Sequence, residues 1–154
     1  MGGSLSQGNV TEYAEFNIYA DPESYNIVLH SGIPCTMIGL DVTMKATFKD
    51  EWMSKFKEID TCESKLCEKF MRYVQKACQF EGDGKTHIHD PFALAALVHP
   101  EYFTFQKYPL SIDCDDKRGM VKIEKGNINC KVAMDIKEDL VWDWFWNSLK
   151  GEKI

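Results

Sequence analysis

No apolar run in this chain approaches the roughly 20 residues that cross a bilayer, so a helical membrane span is not expected. The opening "MGGSLSQGNV" has neither the basic head nor the apolar stretch of a secretory signal. Basic excess is also missing. Against 18 Lys and Arg stand 24 Asp and Glu, a net charge of -6. That argues against a nucleic-acid scaffold, which carries a positive field. Six cysteines are present, but there is no C-x-x-C, and no histidine lies near Cys62 and Cys67. A zinc site is therefore not expected, and the cysteines read as reduced thiols of a cytoplasmic protein. Internal repeats and low-complexity linkers are absent too. Gly2 and Ser6 meet the crude myristoylation pattern, but lipidation is the weaker reading of "MGG".

What is there is a chain of 154 residues, 44% hydrophobic and 27% charged. These values fit one globular domain over 1–154. Asp21-Pro22-Glu23 starts a helix: a capping carboxylate, proline at the first position, then acid in the first turn. It should run to about His30 and stop at Gly32. "PCTMIGLDV" reads as a short buried strand. Helices are expected over Asp50 to Ile59, Ser64 to about Phe80, the segment "HDPFALAALVHPEYF" with its end near Pro100, and Lys137 to Leu149. In the second, Leu66, Cys67, Phe70, Val74 and Ala77 recur at helical spacing. In the last, Leu140, Val141, Trp144, Phe145 and Ser148 form one face. "TFQKYPLSID" and "GMVKIEKG" read as a hairpin-like pair around "CDDKRG", and "CKVAMDI" as another strand. The class is mixed α/β. The Trp142-to-Trp146 cluster is taken as core sealing before it is taken as a ligand site.

Three stretches invite chemistry. "GDGKT", residues 82 to 86, looks like the end of a phosphate loop, but Gln79 stands where the first glycine is needed, and a helix precedes it. It is rejected. In "HIHDP", Asp90 reads as a helix cap with Pro91 the first helical residue. The same carboxylate can turn an oxygen to a hard cation, and His89 beside it is a natural proton donor near neutral pH. In "GNVTEYAEFNIYADPE", Asn9, Glu15 and Asn17 sit among apolar neighbours. One reading makes Asn9 a turn cap, Glu15 a surface group and Asn17 a backbone filler. The other makes them a grip on sugar hydroxyls, which both donate and accept.

Taken in order, "MGG", "GNVTEYAEFNIYADPESYNIVLHSGIP", "MIGLDVT" and "HDPFALAALVHPEYF" resemble the inosine-uridine nucleoside hydrolase family, and Arg118-Gly119 fits as well. The resemblance covers nearly the whole chain. It implies the C-terminal half of that fold: a Rossmann-like, mainly parallel open sheet with flanking helices and a small antiparallel strand pair. It implies calcium-dependent hydrolysis of the N-ribosidic bond of nucleosides to base and ribose. By motif, Met1, Asn9, Glu15 and Asn17 would bind ribose, Asp90 would be a calcium ligand, and His89 would be the acid for the leaving base.

One departure is large. The family's aspartate-rich "DxDxxxDD" element, which supplies the base and most metal ligands, has no counterpart here. Asp113, Asp115 and Asp116 lie C-terminal, in a turn. The expectation is thus a partial site that needs a complementing N-terminal half, with calcium weak or absent otherwise. The alternative is a non-catalytic remnant or regulatory module that pairs with a full-length relative. An open sheet edge and an uncovered apolar face would serve either association, homo-oligomers included.

Overall fold

The computed structural model describes residues 1–78 and 84–151. The first fifteen residues are mostly irregular backbone. They lead into α1 (Phe16–Ala20) and, after Asp21, α2 (Pro22–His30). Asp21 caps α2 as expected, its Oδ1 accepting from the Ser24 N–H at 3.0 Å. β1 (Cys35–Met37) follows and gives way to a one-turn helix, α3 (Leu40–Thr43). The strand expected over "PCTMIGLDV" is therefore only its first half. Gly39 turns the chain, and Leu40, Val42 and Thr43 are buried from a helix instead.

β2 (Thr47–Phe48), a 3-10 turn at Asp50–Trp52 and α4 (Met53–Ile59) come next, then the long α5 (Cys62–Cys78). The expected end of α5 near Phe80, and the first residues of "GDGKT", lie outside the described residues. β3 (Thr86–His87) pairs with β2, and α6 (Asp90–Val98) opens on Asp90-Pro91. This helix ends at Val98, in keeping with the expected end near Pro100. Pro100 ends it, and Pro100–Tyr102 form a separate 3-10 turn.

β4 (Phe103–Tyr108), β5 (Leu110–Ile112), β6 (Val121–Ile123), β7 (Cys130–Ile136) and α7 (Glu138–Leu149) complete the chain. "TFQKYPLSID" breaks at Pro109. Its second half pairs with β6 as the expected antiparallel pair, while its first half, β4, runs antiparallel to β7. β7 is the middle of a three-stranded sheet, with β1 parallel on its other side. The α/β class and the small antiparallel pair are as expected, and the main sheet is mixed.

One core lies where α4, α6 and α7 meet the sheet, around Phe56, Phe92, Trp142 and Trp146. The Trp cluster seals this core, in line with its bland reading. The face is not the one expected. Val141, Trp142, Trp146 and Leu149 are buried, whereas Leu140 is 41% exposed. A second core, around Ile18, Met37, Leu110 and Val132, sits under α1 and α2.

Candidate functional site

The site grows from the irregular segment at the start of the chain. Gly2 donates to the Ile38 carbonyl at 3.1 Å, and Leu40 donates to the Gly3 carbonyl at 2.9 Å. These bonds lay Met1–Gly3 along the end of β1. Gly3 has φ +80, and an added Cβ would come within 2.8 Å of Ile18 Cδ1 and Met37 Sδ. Only glycine fits so close to the second core.

Glu15 is 2% exposed. It is not the surface group of the bland reading. Its Oε2 accepts from Gly3 at 2.8 Å and Ile18 at 3.2 Å, and its Oε1 from Asn17 at 2.9 Å. It is the cap of α1 and the anchor of the glycine segment at once. Asn9 does cap locally, its Oδ1 accepting from the Phe16 N–H at 3.0 Å, and its amide nitrogen stays exposed. Asn17 points its amide nitrogen at the Met1 carbonyl, 3.4 Å away.

The junction behind α1 is held by Arg118. It forms a bidentate pair with Glu23, at 2.6 and 3.0 Å, and donates to the Tyr19 carbonyl at 3.2 Å. That pairing holds the Glu23 carboxyl below its usual range. Gly119 beside it has φ +83, and a Cβ there would sit 2.7 Å from Tyr19 Cα. The "RG" pair thus positions α1 from behind and does not face the site.

Across from α1 stands the mouth of α6. His89 is the residue before the helix, and Asp90 is its first residue and exposed, so the capping role expected of Asp90 is not made. His89 Nδ1 lies 2.8 Å from the hydroxyl of buried Thr43, and its ring stacks on His87 with centroids 6.2 Å apart. Burial, then the neighbouring His87, lowers the His89 pKa, while Asp90 and Glu15 oppose the shift. The shift favours the neutral imidazole.

All six residues singled out from sequence, Met1, Asn9, Glu15, Asn17, His89 and Asp90, line one cavity of about 540 Å³. Apolar side chains also line it: Phe16 beside the polar heads of α1, Cys67, Phe70, Met71 and Val74 of α5, and Phe145 of α7. Sequence reasoning missed this apolar lining. The spacing along α5 shows which residues share a face but not that this face lines a cavity, and Phe70 is 61% exposed. A larger hollow of about 670 Å³ lies between β2, β3 and α5, away from these groups. The smaller one is the candidate site, because polar heads converge there beside apolar side chains.

The described residues contain no cluster of three or more His, Cys, Asp or Glu able to hold a metal. Asp90 offers one carboxylate where calcium takes six to eight oxygens. These residues by themselves do not fit a calcium site.

A family model described as inosine-uridine preferring nucleoside hydrolase matches residues 1–143. The chain belongs to this family. A pyrimidine-specific ribonucleoside hydrolase RihA from Photobacterium profundum is 44% identical, the match covering 74% of this chain and 36% of that protein. RihA from Escherichia coli O139:H28 is 38% identical over 97% of this chain and 51% of its own length. Among solved structures, a purine-preferring ribonucleoside hydrolase from Gardnerella vaginalis superposes with a TM-score of 0.90 at 28% identity, over 98% of this chain and 51% of that one. A plant nucleoside hydrolase, PpNRh1, superposes at 0.88 with 21% identity, a likeness of fold, over 97% of this chain and 52% of its own. The chain thus spans about half, or less, of the nucleoside hydrolases it matches. No helix among its described residues is long and apolar enough to cross a membrane.

Proposed function

We propose that this chain carries the ribose-gripping and base-facing walls of a nucleoside hydrolase site. In such a site water is added across the N-ribosidic bond to free base and ribose. The observation that carries the reading is the convergence of Met1, Asn9, Glu15, Asn17, His89 and Asp90 on one half-apolar cavity. The exposed amides of Asn9 and Asn17 meet ribose hydroxyls, which accept from the NH₂ and donate to the carbonyl. Glu15 sets their positions and has spare acceptor capacity on Oε1, which takes one N–H. The apolar wall of α5 faces the flat base.

His89 acts as a neutral donor. When the Thr43 hydroxyl donates to Nδ1, the ring proton sits on Nε2, free to bond the departing base. The lowered pKa makes full proton transfer easier, since the conjugate acid is stronger, but leaves little of it at pH 7. Asp90 is one calcium ligand, and the remaining ligands and the group that activates water come from an aspartate-rich segment outside this chain's described residues. The location is cytoplasmic, in keeping with the reduced thiols Cys35, Cys62, Cys67, Cys114 and Cys130.

The test is hydrolysis of a nitrophenyl riboside, with and without calcium. The chain is assayed by itself and mixed with a polypeptide bearing the aspartate-rich half of a relative. No turnover by the chain and calcium-dependent turnover by the mixture are expected, with the latter lost in Asn17→Ala. Calcium-dependent turnover by the chain itself, lost in Asp90→Ala, would overturn the partial-site reading. A folded mixture that stays silent would instead favour a regulatory module pairing with an intact relative.

A further inference from the structure

β1 and β7 pair in parallel with Cys35 directly opposite Cys130. Adjacent strands lie about 4.8 Å apart, and directly opposed residues share a face of the sheet. That spacing is within the Cα separation of about 4.4–6.8 Å that a disulfide bridges, near its short end. Both thiols line one small cavity of about 50 Å³, with Met1, Tyr25 and Leu29. Cys35 is half-buried and reachable, while Cys130 is 2% exposed. The Cys130 thiol donates to the Lys131 carbonyl at 3.7 Å, and its closeness to Cys35 brings Cys35 below the usual thiol range, to about 7, and pushes Cys130 up. The other described thiols differ. Cys62 is exposed, burial raises the Cys67 pKa, and Cys114 is tied to Asn26 and the Ile112 carbonyl.

We propose that Cys35 and Cys130 are a reversible redox pair that a hydroperoxide closes into a cross-strand disulfide. This inference does not rest on the nucleoside hydrolase reading. The Cys35 thiolate attacks one peroxide oxygen, the O–O bond breaks, and hydroxide or alkoxide leaves, giving a sulfenic acid. The Cys130 sulfur then attacks the Cys35 sulfur and displaces hydroxide, which departs with the Cys130 proton as water. Two electrons pass from the sulfur pair to the peroxide. A bridge between directly opposed strands is cramped, so a small thiol reopens it by exchange, itself becoming a disulfide.

The experiment treats the full chain with a stoichiometric amount of hydrogen peroxide, alkylates the remaining thiols and maps peptides without reduction. Expected is one linked pair of peptides, carrying Cys35 and Cys130, that separates on adding a thiol reductant. Cys35 should also be alkylated faster than Cys67, whose pKa burial raises. In Cys130→Ser, Cys35 should be trapped by dimedone as the sulfenic acid. In Cys35→Ser, Cys130 should remain alkylatable after unfolding. Free Cys35 and Cys130 in wild-type chain whose Cys62 has been oxidised would overturn the proposal. So would linkage of either cysteine mainly to a third one. The wild-type map decides the matter even if a variant fails to fold.

Discussion

The glycine-rich entrance segment and the aromatic core are held by opposite means. In the first, single carboxylates and hydroxyls collect backbone N–H and hydroxyl donors. Glu15 takes the N–H of Gly3, Asn17 and Ile18, Asp41 takes Leu5 and the Ser6 hydroxyl, and Thr11 takes Ala14. In the second, Phe48, Phe56, Trp142 and Trp146 pack with ring centroids from 5.0 to 6.2 Å apart. The indole N–H groups of Trp142 and Trp146 have no hydrogen-bond partner there among the described residues. Directional bonds place polar heads, which a binding site needs. Dense apolar contact supplies stability and tolerates an unmet N–H because so much surface leaves water.

Breaking the core should have the largest effect. Trp146→Ala is expected to cost about 3–5 kcal/mol in urea unfolding. Whatever fraction remains folded should still bind a ribose analogue with unchanged affinity, because the entrance segment touches the other core. A loss below about 1 kcal/mol would mean that the aromatic cluster collapses around the gap.

Glu15→Ala should come next, at about 2–4 kcal/mol, since it strips acceptors from three N–H groups of which two are buried bonds. Unlike the core change, it should abolish analogue binding even in folded protein, seen by titration calorimetry. Glu15→Gln should restore part of the stability. Binding that survives Glu15→Ala would separate the cap from the grip.

Asn17→Ala should leave stability within about 0.5 kcal/mol, as an exposed change does, and weaken analogue binding at least about tenfold, the loss of hydrogen bonds to hydroxyls. An unchanged affinity would remove Asn17 from the grip.

The smallest effect concerns pH. The folded His89 pKa lies below its ordinary 6.5. The unfolded chain therefore takes up its proton first as pH falls, and His89 costs stability below about pH 6.5. In calcium-free chain, His89→Gln should flatten this part of the stability profile. An equally steep profile in the variant would assign the slope to other groups.

Local signals were readable where neighbours in sequence do the work. Asp21-Pro22 begins α2 because its carboxylate reaches the Ser24 N–H within one turn. The family motif singled out polar heads that all reach one cavity. Failures came where distant partners decide. "GLDV" is apolar enough for a strand, but Gly39 packs on Gly3, where a Cβ would meet the Gly3 carbonyl oxygen at 2.5 Å, and the chain turns into helix. "TFQKYPLSID" looked like one strand, yet Pro109 divides it between two sheets. The stripe on α5 showed only helical spacing, and Cys67, Phe70 and Val74 of it line the cavity, since periodicity says which residues share a face, not what that face meets.

By itself the sequence determined the Asp21 cap and start of α2, the antiparallel pair around "CDDKRG" and the family to which the chain belongs. These rest on contacts within a few residues, or on a motif read directly. Only the tertiary structure decided that Asn17 and His89 face one cavity, that α7 buries Trp142 and Trp146 and leaves Leu140 outside, and that Cys35 lies opposite Cys130. Those pairings join residues far apart along the chain. They are set by which apolar faces leave water together and by the register of parallel strands, and no local pattern encodes either.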